Sequence, residues 1–144
     1  MGDEEDIDRT EKFLLIRNMN FFKSFTDSEI WEIVGAVSVR EFVKGAEIIT
    51  EGLLEETFII IDGEAMMLKG DIKIGTLRKG DCFGEMGYIA KSKNSATIKA
   101  LTTIRLLEVN NSAIEESSSS CQLRFTKMFL KRIIERLSKA NGEI

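Results

Sequence analysis

The stretch FGEMGYIAKSKNSAT, residues 83 to 97, sets Gly84 and Glu85 beside Phe83, passes through a small polar loop, and closes on Asn94-Ser95-Ala96-Thr97. A glycine beside a bound molecule lets backbone approach it closely, and amide N–H groups at a helix start or in a nest of successive amides form a seat for phosphate. A carboxylate in that setting can accept two hydroxyl hydrogen bonds from a sugar. On local chemistry alone a structural role stands beside this one: Glu85 caps the turn and Phe83 fills core. The spacing leaves room for one short helical turn, Met86 to Ala90, and then a loop from Lys91 to Ser95.

Outward from this stretch, short β-prone runs recur at near-regular intervals: Val39 to Val43, Ile48 to Thr50, Thr57 to Ile61, Ala65 to Leu68, Ile72 to Leu77, Ala96 to Ala100 and Ile104 to Val109. Glycine punctuates the gaps, as in Lys44-Gly45, Glu51-Gly52, Asp62-Gly63, Lys69-Gly70-Asp71 and Lys79-Gly80-Asp81. Many short strands with a turn every dozen residues or so predict an antiparallel sandwich or barrel-like roll, mainly β with flanking helices. No long helix alternates with these strands, which excludes a parallel doubly wound sheet. The chain has no proline, so its turns depend on glycine.

Helical patterns flank the roll. Ile7, Phe13, Leu14, Leu15, Ile16 and Met19 recur at helical spacing behind an acidic first turn that suits the helix dipole. Thr26-Asp27-Ser28-Glu29 reads as a capping box, and the helix it opens carries Ile30, Ile33, Val34 and Val37 on one face with Trp31 at its edge. After the strands, Asn110, Asn111 or Ser112 caps a short helix through Glu116. A last helix, Cys121 to about Lys139, places Leu123, Leu130, Ile134 and Leu137 along one stripe widened by Met128, Phe129 and Ile133. That stripe is expected to pack on the roll, and it is wide enough for part of it to face a second subunit in a homodimer. The resulting organisation is N-terminal helices over 1–37, the roll over 38–109 and C-terminal helices over 110–144, all one domain.

Composition narrows the chemistry. A formal charge of −4 and a pI near 5.1 supply no general electrostatic footprint for nucleic acid. No apolar run reaches the about 18 residues of a membrane span, and the acidic start MGDEEDIDR is the opposite of a signal peptide, so a soluble, cytoplasmic protein is expected. Cys82 and Cys121 lack Cys-x-x-Cys spacing and read as small side chains in a reducing compartment, with no metal site. With no histidine at all, Ser-His and Cys-His nucleophile pairs and histidine metal cages of the cupin kind are excluded, and a binding module is expected rather than an enzyme.

The segment FGEMGYIAKSKNSATIKA, residues 83–100, resembles the phosphate-binding cassette of cyclic nucleotide-binding domains, which reads roughly Phe-Gly-Glu-Leu-Ala-Leu, a variable loop, then Arg-(Ala/Ser/Thr)-Ala-Thr. KGAEIITEG (44–52) with FIIIDGEAMM (58–67) is similar to that family's glycine-punctuated strands, and FFKSFTDSEIWEIV (21–34) to its helical entry. The resemblance implies a jelly-roll β-roll whose C-terminal helix acts as a lid, and a regulatory domain for a ligand such as cAMP or cGMP. It places the ribose-binding carboxylate on Glu85, with Phe83, Gly84, Met86 and Gly87 around it, and phosphate contacts on Ser95, Ala96 and Thr97.

One position departs from the pattern. The phosphate-clamping arginine falls on Asn94, an amide that donates but brings no charge. Lys91 and Lys93 flank it as point cations of poorer geometry. Two functions follow: a cyclic nucleotide sensor of reduced affinity, or a ligand-independent interaction or dimerisation module with Tyr88 or another side chain filling the recess.

Overall fold

The computed structural model describes residues 2–140. Asp8 accepts from the Glu11 amide and starts α1 (Arg9–Asn18); the reciprocal Thr26–Glu29 box starts α2 (Asp27–Ile33). The strands are β1 (Asp3–Glu4), β2 (Val37–Phe42), β3 (Glu47–Ile49), β4 (Thr57–Asp62), β5 (Ala65–Lys69), β6 (Ile72–Leu77), β7 (Cys82–Phe83), β8 (Thr97–Ala100) and β9 (Ile104–Val109). Between them sits α3 (Met86–Ile89), and α4 (Asn111–Glu116) and α5 (Ser119–Ala140) close the described chain. Every strand pair is antiparallel, in two sheets of order β1-β2-β9-β4-β7 and β3-β8-β5-β6. This is the expected β-roll with helices packed on one side.

Strand alternation divides the interior in two. On β4, Phe58 and Ile60 point between the sheets, where they meet Phe83, Ile98 and Leu106, while Ile59 faces the helices. The helical side is aromatic: Phe21, Phe22, Phe25, Phe125 and Phe129 lie within 6.4 Å of one another ring to ring in each contacting pair. That cluster fixes α5 across the roll, since aromatic side chains bury the largest apolar areas.

The structure revises several expectations. Val37 opens β2 instead of closing α2; residues 34–36 tighten into a 3₁₀ turn, and Val37-Ser38-Val39 alternates at the strand period. The strands β1 and β7, two residues each, are too short to leave a periodic signal. On α5 the buried row is Cys121, Phe125 and Phe129, each 0% exposed, whereas Leu123, Leu130, Ile134 and Leu137 are 52–59% exposed. The stripe read as packing on the roll therefore faces outward, because the phenylalanines turn α5 toward their own cluster. Trp31 does sit at the edge, stacked on Phe13 at 4.4 Å. No described helix is long and apolar enough to cross a membrane.

Candidate functional site

The quoted segment begins at the end of β7, where Phe83 stacks on Phe58 at 5.4 Å and anchors it inside the roll. Gly84 follows at φ +81°, and a Cβ there would strike the Glu56 carbonyl oxygen. A Cβ at Gly87 would lie 2.7 Å from the Glu55 carbonyl oxygen. The two glycines thus let the segment press flat on the loop before β4. Glu85, between them, is turned inward and only 3% exposed, while Met86 next to it is 39% exposed.

Across from Glu85 stands a residue that the sequence pattern did not single out. Arg136 on α5 brings Nη1 to 3.5 Å from Glu85 Oε1 and donates from Nη2 to the Cys82 carbonyl at 2.6 Å. Burial pushes the Glu85 carboxyl above the usual range, and the Arg136 charge opposes that only in part. Tyr88 sits edge-on to Phe129 at 5.8 Å, so it packs beneath α5 and Arg136 is the side chain that meets Glu85.

The second half of the segment is braced against the 50–54 loop. Asn94 donates from both its backbone amide and Nδ2 to the Leu53 carbonyl, each at 2.9 Å, and accepts from the Gly52 amide at 2.8 Å. Thr97 Oγ1 accepts from the Glu51 amide at 3.0 Å, and the Ser95 carbonyl accepts from Lys69 Nζ at 2.9 Å. The Ser95 side chain is exposed and Ala96 is buried. Lys91, at φ +53°, pairs with Glu115 of α4; Lys93 is exposed.

Beside Arg136 opens a cavity of about 730 Å³ between the β5–β6 hairpin and α5. Met67, Ile74 and Ile133 give it apolar walls, and Arg78, Arg136 and Lys139 add positive charge, with no carboxylate in the lining among the described residues. An apolar slot of this size with a few polar groups suits a small amphipathic anion. Arg136 belongs both to this cavity and to the Glu85 contact. Its signal in the sequence was its place on the Cys121–Phe125–Phe129 face, visible only once the helix orientation is known.

Comparison with known proteins places the chain. The model of the family described as the cyclic nucleotide-binding domain matches residues 39–120. A cGMP-dependent protein kinase of Eimeria tenella is 30% identical over 98 residues, 67% of this chain but 10% of that protein. A solved structure of cAMP-bound PfPKA-R is 25% identical, with a TM-score of 0.73 over 93% of this chain and 46% of that one. The regulatory subunit of a cAMP-independent protein kinase A from Trypanosoma brucei, 22% identical, shares the fold with a TM-score of 0.70 over 91% of this chain and 47% of that one.

Proposed function

The chain belongs to the cyclic nucleotide-binding domain family, and on that premise we propose that it is a regulatory sensor module whose affinity for cAMP or cGMP is reduced. The observation that carries this reading is Glu85: a carboxylate buried in the cassette, under-supplied with hydrogen-bond donors, and joined through Arg136 to a cavity large enough for a nucleotide. The base would lie against Met67, Ile74 and Ile133, the ribose hydroxyls on Glu85, and the cyclic phosphate near the amides of Ser95 and Ala96. Asn94 lacks the guanidinium that clamps phosphate, and a charge-assisted hydrogen bond is worth roughly 1.5–3 kcal/mol, so binding should be about 10- to 150-fold weaker than in a cassette with arginine.

Coupling follows from Arg136. Ribose hydroxyls compete with its guanidinium for the same carboxylate, so occupancy changes how α5 is held, and whatever α5 touches senses the ligand. Calorimetry and thermal melting with cAMP and cGMP at millimolar concentration test the proposal. The expected result is a heat and a melting shift, both lost in Glu85→Gln. Absence of both in the unmodified chain sinks the sensor reading.

A ligand-independent module is the second reading, favoured by two observations: Asn94 is tied to Leu53, and Arg136 already partners Glu85. In that case the outward stripe of Leu123, Leu130, Ile134 and Leu137 serves a second copy of the chain. Light scattering should then give a mass that rises with concentration and falls to that of one chain in Leu130→Glu. A strictly monomeric protein removes the dimer.

A further inference from the structure

A second cavity, about 600 Å³, lies where the end of α1, the 3₁₀ turn Asn20–Phe22, β4, the β6–β7 turn and α5 meet, and it shares no lining residue with the cavity beside Arg136. Two cations, Lys79 and Arg132, and two amides, Asn18 and Asn20, line it together with apolar surface from Leu15, Phe21 and Ile61; among the described residues no carboxylate lines it. Arg132 is the unusual member. Its side chain is 15% exposed, and among the described residues its one ion pair is a 3.4 Å contact from Nη1 to the half-exposed Glu135.

Among the described residues the buried Nε hydrogen of Arg132 has no acceptor. Leaving a donor of a charged group both desolvated and unbonded is costly, and native structures avoid it unless something else supplies the acceptor. The Nε–Nη2 edge of a guanidinium presents two parallel N–H groups, spaced for the two oxygens of a carboxylate or phosphate. Lys79 adds a point charge, and the apolar wall offers contact to a hydrocarbon body.

We infer that this cavity binds a small oxyanion carrying an apolar body, a phosphate monoester or carboxylate on an aromatic or aliphatic skeleton. The head group bonds to Arg132 at Nη2, and at Nε once a small turn of the side chain opens that buried atom to the cavity, with Lys79 beside it, and the body rests on Leu15, Phe21 and Ile61. Because Arg132 stands one helical turn before Arg136, a ligand here also pins α5 against the roll.

Proton–nitrogen NMR of the full chain tests the site with three probes: phenyl phosphate, benzoate and inorganic phosphate. The expected result is that the Arg132 Nε–H and Gly80 amide signals shift with phenyl phosphate or benzoate at millimolar concentration, about tenfold more tightly than with inorganic phosphate, which lacks the apolar body. Arg132→Gln should abolish the Gly80 shift, and the exposed Lys79→Gln, with an otherwise unchanged spectrum, should weaken binding by about threefold to tenfold. Lys131→Gln, an equal loss of charge outside the cavity lining, should leave it unchanged. No response to any probe overturns the inference. So does a Gly80 shift that persists in Arg132→Gln, or equal responses to inorganic phosphate and phenyl phosphate spread over surface lysines.

Discussion

Glu29 and Glu85 are buried to almost the same depth, 4% and 3% exposed, yet their surroundings treat them in opposite ways. Burial pushes the Glu29 carboxyl up, but bonds from the Thr26 amide, from Ser120 and from Arg124 outweigh it and leave the group below the usual range. At Glu85 burial dominates; Arg136 at 3.5 Å and the residue's own backbone amide answer it only in part, and the group stays above that range. The helical entry therefore uses its glutamate to close hydrogen bonds at α2 and α5. The cassette keeps its glutamate short of partners. A buried carboxylate left short of donors is a candidate for a functional site, and it is what the proposed sensor reading rests on.

This contrast can be broken most severely at Glu29. Glu29→Ala removes half of a capping box and leaves Arg124 unpaired, so urea unfolding should show a loss of about 2–4 kcal/mol. A loss below about 0.5 kcal/mol would mean that Glu29 is no better used than Glu85. Asn94→Arg acts at the other end. It should tighten cAMP binding about 10- to 150-fold by calorimetry, and no gain would show that the cavity is blocked elsewhere. Since the substitution also gives up the Nδ2 bond to Leu53, its melting temperature without ligand should fall slightly.

The smallest effect is the most specific. Glu29, with its folded value lowered, contributes stability that is present above the ordinary value of 4.5 and lost as pH falls through the lowered one. Glu85, raised, contributes stability that is fully present below 4.5 and lost as pH rises through its folded value. Unfolding free energies measured across this range should therefore show a shallower acid limb in Glu29→Gln, with Glu5 and Glu51 still lowered, whereas Glu85→Gln should show a shallower decline above 4.5. The same slope change in both variants would erase the distinction between them.

Much of the frame was legible because local chemistry specified it. The Thr26–Glu29 box, the glycine turns and the strand runs from Ile72 to Leu77 and Ile104 to Val109 fall where their residues predict. The orientation of α5 was not legible: it carries two apolar rows, and the choice between Cys121–Phe125–Phe129 and the leucine stripe depends on phenylalanines about a hundred residues earlier in the chain. Arg136 is hidden for the same reason, one basic residue among several on a helix whose two apolar rows compete for the buried face. Asn94 stands out in the sequence as a departure from the pattern, but its tie to Leu53 comes from the meeting of two loops far apart in sequence.

The close packing of Gly84 and Gly87 on Glu55 and Glu56 has a mechanical consequence. The Glu56 carboxylate accepts from the Asn111 amide at 3.1 Å, Asn111 Nδ2 reaches the Glu55 carbonyl at 3.3 Å, and Lys91 is paired with Glu115. The cassette cannot shift without carrying α4 along, like two links of one lever. If Glu85 takes up the sugar as proposed, motion started there has two exits from the domain, one through the long terminal helix and one through the short helix before it.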